Sequence, residues 1–210
     1  MANFAESTFG VLLLGYLLGS IPFGVILTRL GGAGDVRAIG SGNIGATNVL
    51  RTGRKGLAVA TLLLDLAKGL VAVWIAASLS PGNEQLAGAG AMLGHIYPFW
   101  LRFKGGKGVA TFMGVALGLD LTTGFETWMG AVYAGLWIGT IMVTRLSSLG
   151  GLVAAVSVPV SAWAFDRPDL VPLMAALAII VLWKHQENIG RLLRGEEPRV
   201  GRSAPKVADG

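Results

Sequence analysis

Residues 57–79 read LAVATLLLDLAKGLVAVWIAASL, and this stretch decides the class of fold. It is apolar over the roughly 20 residues that a helix needs to cross the hydrocarbon core of a bilayer. Asp65 and Lys68, its only charged residues, are three positions apart and so share one face of a helix. The rest of the chain agrees: 53% of its 210 residues are hydrophobic, 14% are charged, and its mean hydropathy is +0.63. This composition predicts an integral membrane protein.

Six further apolar blocks flank this stretch and cover residues 9–30, 86–101, 109–121, 128–143, 149–165 and 170–183. All seven together predict an all-α integral membrane protein with seven transmembrane helices. The fourth and seventh blocks are shorter than the roughly 17–25 residues of a usual span, so they need interfacial turns, little tilt or shelter by protein. No Lys or Arg precedes the first block, whereas a cleaved signal peptide begins with positive charge, so this block is expected to remain as a span.

Basic residues alternate with the blocks in a way that predicts topology. The segments after the first, third, fifth and seventh blocks hold nearly all of them, while the opposite segments hold Arg167 alone. Because cytoplasmic segments are enriched in Lys and Arg, the N-terminus is expected outside and the C-terminus in the cytoplasm. Cysteine is absent, which excludes disulfides, thiolate metal ligands and a cysteine nucleophile.

Pairs of glycines four residues apart recur in the apolar blocks. Such pairs let two helices approach closely, because glycine has no side chain to separate them. All four pairs are therefore expected at helix–helix contacts: Gly15 and Gly19, Gly90 and Gly94, Gly114 and Gly118, and Gly135 and Gly139.

The connection from Asp35 to Gly56 is long for a link between two spans, and such a connection usually has a function. Its residues 40–48, GSGNIGATN, combine glycines that leave the backbone accessible with hydroxyl and amide side chains. Basic residues follow at positions 51, 54 and 55, and backbone amides, hydroxyls and guanidinium groups together suit a phosphate monoester. The alternative is an ordinary glycine-rich loop beside cytoplasmic basic residues.

A second polar segment, FKGGKG at residues 103–108, follows GHIYP at residues 94–98. Its two lysines among three glycines form a compact positive turn that favours anion binding. It is not a P-loop, because Gly108 follows Lys107 where that motif requires Ser or Thr. His95 either belongs to the same site or forms hydrogen bonds between helices.

The end of the last block carries the third polar feature, His185 and Asn188, which are three positions apart and share a helix face. A histidine there can accept a proton from an alcohol or donate a hydrogen bond to phosphate, and the asparagine can orient either group. No metal is expected, because the histidines of the chain lack the close carboxylate or histidine companions of a zinc site.

Taken in order, the three segments resemble the motifs of the bacterial acyl-phosphate-dependent glycerol-3-phosphate acyltransferases, the PlsY family. The resemblance implies a seven-helix enzyme over residues 1–194 that moves a fatty acyl group from acyl phosphate to the sn-1 hydroxyl of glycerol 3-phosphate, giving lysophosphatidic acid and phosphate. It implies an inner-membrane location among membrane lipids, an active site facing the cytoplasm, and no cofactor, metal or nucleic acid. Residues 195–210 lie beyond the resemblance and, lacking apolar periodicity, are expected to form a disordered cytoplasmic tail.

The resemblance also assigns residues to roles. Ser41, His185 and Asn188 are the implied catalytic residues. Ser41, Arg51 and Lys107 are expected to bind phosphate oxygens. Lys104 and the backbone amides of the two glycines that follow it are expected to help shape the glycerol 3-phosphate pocket. The complete substrate-binding set, with Ser148 added as a weaker candidate for the donor phosphate, is Ser41, Gly42, Asn43, Thr47, Asn48, Arg51, His95, Lys104, Gly105, Gly106, Lys107 and Ser148.

Two expectations concern mechanism. His185 is expected mainly to position substrate and not to act as the general base, because nothing near it in the sequence fixes its tautomer. The acceptor hydroxyl is expected to attack acyl phosphate directly, because Ser41 does not stand in a nucleophile elbow and the donor is highly reactive.

Several alternatives stay open. Asp65 and Lys68 form either the floor of the site or a structural pair between helices. A transporter of a phosphorylated solute would also combine glycine-rich helices with anion-binding loops, although the sequence contains no convincing internal repeat. An acyltransferase that uses an acyl thioester is the enzymatic alternative, but its histidine followed five positions later by aspartate is absent, since Trp100 follows His95 and Gly190 follows His185 at that spacing.

Overall fold

The computed structural model describes residues 7–201 and contains helices but no strands within that range. Residues 202–210, most of the expected tail, lie outside the described residues. The helices in chain order are α1 Thr8–Gly19, α2 Phe23–Leu30, α3 Ala46–Leu50, α4 Lys55–Leu79, α5 Glu84–Ile96, α6 Val109–Thr122, α7 Met129–Thr144, α8 Ser147–Ala164, α9 Val171–Lys184 and α10 Gln186–Leu193.

Every apolar block of the sequence contains a helix, but two blocks differ from the expected continuous span. The first is divided into α1 and α2 at Pro22, which has no N–H to continue a helical ladder. The third ends at Ile96, because Tyr97 precedes a proline, and a 3₁₀ turn at Phe99–Leu101 takes up the rest of the block. Within residues 7–201, three helical stretches are long and apolar enough to cross a membrane: Thr8–Leu30, Lys55–Leu79 and Ser147–Ala164.

The break between α1 and α2 is closed by side chains from elsewhere. Lys68 Nζ on α4 donates to the carbonyl of Ile21 at 3.0 Å, and Trp100 Nε1 donates to the carbonyl of Ser20 at 2.6 Å. Lys68 also pairs with Asp65 at 2.7 Å, and both side chains are buried. Backbone carbonyls that the break leaves without helical donors are thus satisfied inside the protein.

Three of the four glycine pairs lie at helix contacts, as expected, and one does not. A Cβ on Gly15 or Gly19 of α1 would lie 2.1 Å from a backbone oxygen of α5. A Cβ on Gly114 of α6 would lie 1.9 Å from the carbonyl oxygen of Leu66. Gly135 and Gly139 of α7 have no atom within 4 Å of such a Cβ, so the expectation of a helix contact at this pair is wrong for the described chain.

The main apolar core lies among α5, α6, α7, α8 and α9. Phe112 of α6 and Tyr133 of α7 are fully buried, and their rings meet edge to face with centroids 5.9 Å apart. The Tyr133 hydroxyl donates to the carbonyl of Val109 at 2.8 Å, so the polar end of this ring is satisfied at the first turn of α6. This core fixes α6, and with it the end of the second polar segment.

A buried carboxylate joins α6 to α7 at the opposite end of the helices. Asp120 is fully buried and accepts hydrogen bonds from Thr127 Oγ1 at 2.6 Å and from the amides of Met129 and Gly130 at 2.8 and 2.7 Å. The two amides belong to the first turn of α7, where helical N–H groups have no partner within the helix. The carboxylate therefore holds the start of α7.

We expect Asp120→Asn to destabilise the protein by about 1–3 kcal/mol, because the amide has one acceptor oxygen where the carboxylate has two, and a buried donor is left unsatisfied. Thermal unfolding in detergent measures the effect. Glu126→Gln, an exposed acid on the same turn, is the control and should leave the unfolding midpoint unchanged. Equal midpoints for both variants would contradict the role of Asp120.

Candidate active site

Asn48 organises the first polar segment from within. Its Nδ2 donates to the carbonyls of Val36, Ile39 and Asn43 at 2.8–2.9 Å, and its Oδ1 accepts from the Ser41 amide at 3.3 Å. Asn48 is also buried, with 2% of its surface exposed. Its polar groups are therefore bonded within the loop, where they hold neighbouring residues that face the cavity, and its expected role in binding substrate stays a prediction.

The glycines of this segment have separate tasks. Gly40 has φ +55°, and a Cβ there would lie 2.7 Å from Nη1 of Arg51, so the guanidinium packs over bare backbone. Gly42 also has a positive φ, of +68°, which a residue with a side chain adopts at a cost. The Asn43 side chain accepts from the Gly45 amide at 3.0 Å and closes the turn that leads into α3.

The second polar segment differs from the expected phosphate cradle. The Gly105 amide donates to the carbonyl of Ile96 at 3.1 Å, and the Gly106 amide donates to the carbonyl of His95 at 3.0 Å. A Cβ on Gly106 would lie 2.1 Å from His95 Nε2. These glycines therefore pack the segment against the end of α5, and their amides are bonded to the backbone; their expected part in shaping the glycerol 3-phosphate pocket stays a prediction.

The two lysines of that segment occupy different environments. Lys104 is exposed and lines neither of the two cavities described below, and its expected place in the pocket stays a prediction. Lys107 is partly buried, and its Nζ donates to Oδ1 of Asn188. Burial, together with the nearby Arg191 guanidinium, lowers the pKa of Lys107 from its ordinary value. Lys107 is thus the lysine that belongs to the site.

His185 follows the last residue of α9 and is buried, with 3% of its surface exposed. Its Nδ1 lies 2.8 Å from the carbonyl of Val181, and a carbonyl only accepts, so Nδ1 carries the proton and Nε2 is left as an acceptor. The reason given for a positioning role, an unfixed tautomer, is therefore wrong. Burial lowers the pKa of His185 to about 4, so the ring is neutral at pH 7.

Asn188 is held on two sides. Its Oδ1 accepts from Lys107, and its Nδ2 donates to Oε1 of Glu197 at 2.6 Å. Oε2 of the same glutamate accepts from Nε of Arg191 at 2.7 Å. Glu197, which lies in the tail expected to be disordered, therefore contacts the site.

These elements enclose a cavity of about 120 Å³. Its lining also includes residues outside the expected site set, among them Asp65, Trp137 and Arg191. Asp65 lines this cavity and also pairs with Lys68, so it contributes both to the floor of the site and to a structural ion pair. Nδ1 of His95 lies 3.6 Å from Oδ1 of Asp65. The expected residues that line the cavity are Ser41, Asn43, Thr47, Asn48, Arg51, His95, Lys107, Ser148, His185 and Asn188.

A second cavity opens beside the first and shares Ser41, Asn43 and Lys107 with it. Gly42 and Gly105 line this second space, together with Lys184 and Glu187 from the end of α9 and the start of α10. Ser41, Asn43 and Lys107 therefore lie between the two cavities.

Sequence reasoning missed Arg191 and Glu197. Arg191 lies three positions after Asn188, so helical spacing alone places it on the same face. Glu197 had no comparable signal, because it comes after α10 and reaches the site only through the fold.

The model of the family described as glycerol-3-phosphate acyltransferase matches residues 9–195. Relatives of that name from Erythrobacter litoralis and Brucella anthropi are 55% and 53% identical; the alignments cover 90% and 91% of this chain and 93% and 92% of theirs. Crystal structures of PlsY, an integral membrane glycerol 3-phosphate acyltransferase, in its glycerol 3-phosphate and lysophosphatidic acid forms match with TM-scores of 0.84 and 0.81. They are 33% and 32% identical, and each match covers 92% of this chain and at least 95% of PlsY. The chain therefore belongs to the PlsY family of glycerol-3-phosphate acyltransferases.

Proposed function

We propose that this acyltransferase moves a fatty acyl group from acyl phosphate to the sn-1 hydroxyl of glycerol 3-phosphate, giving lysophosphatidic acid and inorganic phosphate. The proposal rests on one observation: the main cavity brings Arg51, Lys107 and Arg191 together with the acceptor nitrogen of His185. Three cations suit a reaction in which both substrates and both products bear phosphate. PlsY, a relative over almost its whole length, has structures in glycerol 3-phosphate and lysophosphatidic acid forms.

The proposed reaction is direct. The sn-1 oxygen forms a bond to the acyl carbon, the bond from that carbon to the phosphate oxygen breaks, and phosphate leaves with the electron pair. Lys107 and Arg51 stabilise the phosphate charge, and this stabilisation together with positioning supplies most of the rate, because acyl phosphate needs little acid catalysis. Ser41 donates to a phosphate oxygen and is not acylated.

His185 orients the attacking hydroxyl through Nε2. With a pKa of about 4 it is a weak base, so accepting a hydrogen bond suits it better than removing the proton fully. The proton passes to phosphate, which has a second pKa near 6. The positioning role expected from the sequence is thus proposed again, now for a different reason.

The proposed placement in the membrane follows from charge. Seven spans, formed by the helices of the seven apolar blocks, put the N-terminus outside and the C-terminus in the cytoplasm of a bacterium, with the site at the cytoplasmic face of the inner membrane. Trp137 and Val109 line the cavity, and we propose these apolar side chains as the contacts of the acyl chain where it enters from the bilayer.

The purified protein tests the donor directly. It is offered glycerol 3-phosphate with acyl phosphate, acyl carrier protein thioester or coenzyme A thioester in parallel, and lysophosphatidic acid is measured. Product with acyl phosphate alone is the expected result. Product with a thioester would contradict the proposal that acyl phosphate is the donor. Inactivity with every donor, accompanied by glycerol 3-phosphate flux into proteoliposomes, would contradict the proposal that the protein is an acyltransferase.

The pH profile tests the role of His185. Because burial places its pKa at about 4, His185 stays neutral from pH 5 to 8, and the fall of kcat/KM on acidification in that range comes from substrate phosphate. We expect His185→Gln to lower kcat by roughly 10–100-fold, while the acidic limb of the pH profile, the fall of kcat/KM on acidification, stays at the same pH. Loss of that limb in the variant, with KM unchanged, would show that His185 is the general base.

A further inference from the structure

The residues after α10 return to the site. Glu197 is nearly enclosed, with 7% of its side chain exposed, and its two carboxylate oxygens contact Asn188 and Arg191. Three residues later, the Val200 amide donates to the carbonyl of Arg145 at 2.8 Å, between α7 and α8. Hydrogen bonds thus hold this segment at two points, Glu197 and Val200.

Glu197 determines which way the Asn188 amide faces. A carboxylate only accepts hydrogen bonds, so Asn188 must present its NH₂ group to Glu197. An ammonium group only donates, so the carbonyl oxygen of Asn188 must face Lys107. Reversing the amide would set two donors against each other at Lys107 and two acceptors against each other at Glu197.

Glu197 also orients Arg191. Its Oε2 binds Nε of the guanidinium, which leaves the Nη groups of Arg191 for another anion. Lys107 and Arg191 repel each other across the site, and the carboxylate beside both offsets that repulsion. Burial raises the pKa of Glu197, but hydrogen bonds from Asn188 and Arg191 outweigh this effect and lower it, so the group is charged at pH 7.

The position of Glu197 argues against a role as an internal substitute for phosphate. Asn188, Arg191 and Lys107 line the main cavity, and Glu197 does not, so its carboxylate stands behind the residues that face the ligand. The space for a ligand is left open.

We propose that Glu197 is a positioning residue of the acyl transfer, which fixes Asn188 and Arg191 so that these two and Lys107 bind substrate phosphate. This inference rests on the function proposed above. Of these four residues, Asn188, Arg191 and Lys107 contact substrate, and Glu197 acts through them.

Steady-state kinetics of the full chain test the proposal with Glu197→Gln. A glutamine amide accepts through one oxygen, so either the Arg191 contact is lost or Asn188 must reverse. We expect KM for glycerol 3-phosphate to rise by about tenfold or more, as for loss of a hydrogen bond to a charged group. Glu196→Gln is the matched control: Glu196 is exposed and pairs with exposed Arg194, so its kinetics should equal those of the unchanged protein.

KM separates positioning from mere structural support, because it does not depend on how much of the variant is folded. A lower kcat per protein with an unchanged KM would overturn the proposal, and so would a lower KM, which would mean that Glu197 competes with substrate. If Glu197→Gln does not accumulate, Glu197→Asp retains the charge but is too short to reach both partners, and the same comparison of KM applies.

A binding measurement keeps the inference separate from the proposed function. Inorganic phosphate should raise the thermal unfolding midpoint of the unchanged protein and of Glu196→Gln, and should raise that of Glu197→Gln much less. Equal shifts in all three proteins would overturn the inference. If the unchanged protein is inactive with every donor, the proposed function fails, while the phosphate shifts still decide whether Glu197 arranges an anion site.

Discussion

Replacing Lys107 by methionine should lower kcat/KM by roughly 10²–10³-fold, the usual effect of removing one fixed charge or donor from a site where charge develops. Lys107 lines both cavities and donates to Asn188, so its loss removes a cation from the phosphate site and leaves the amide oxygen of Asn188 without its donor. The methionine keeps most of the apolar stem.

Lys104→Met is the matched control for this change. The two lysines are three positions apart in one glycine-rich segment, but Lys104 is exposed and lines neither cavity. Its kcat/KM should stay close to that of the unchanged protein, measured as lysophosphatidic acid formed from acyl phosphate. Similar losses in both variants would mean that the segment acts through its total charge and not through the geometry of Lys107.

Replacing Gly114 by alanine should destabilise the fold strongly, by at least the roughly 1–3 kcal/mol of an overpacked core. The added Cβ would lie 1.9 Å from the carbonyl oxygen of Leu66 and 2.8 Å from its carbonyl carbon, and backbone atoms of a neighbouring helix do not move aside easily. The helices α4 and α6 must separate to admit the methyl group. The thermal unfolding midpoint in detergent should fall accordingly.

Gly139→Ala tests the same substitution where the structure leaves space. Apart from the backbone and chain neighbours of its own helix, no described residue has an atom within 4 Å of the added Cβ, and alanine favours a helix over glycine by roughly 1 kcal/mol, so the unfolding midpoint should hold or rise. A fall as large as that of Gly114→Ala would show that this face of α7 is in contact after all.

Local pattern was enough to predict the helices. Each apolar block holds at least one helix, because an apolar segment in a bilayer must satisfy its backbone polar groups within itself. The glycine spacing, in contrast, predicted contacts at Gly135 and Gly139 that the described chain does not make. Spacing shows that a helix can approach another closely, but only the arrangement of all helices determines which ones do.

The residues of the site were easier to predict than their roles. Lys107, Arg51 and His185 lie together at the cavity as expected, because polar residues beside membrane helices have few other uses. Asn48 and Gly106 were assigned to substrate, but their hydrogen bonds and packing go to the protein itself. A side chain that can bind phosphate can equally bind a backbone carbonyl, and only the folded chain shows which partner it has.

The break at Pro22 bears on the order in which the chain enters the membrane. Asp65 and Lys68 make α4 costly to insert alone, since ionisable groups in hydrocarbon need partners. The carbonyl that receives the ammonium group, that of Ile21, belongs to a segment synthesised earlier. The interrupted first helix is therefore already available as a receptor when α4 leaves the ribosome, and a chain lacking its first thirty residues should retain α4 in the membrane less efficiently.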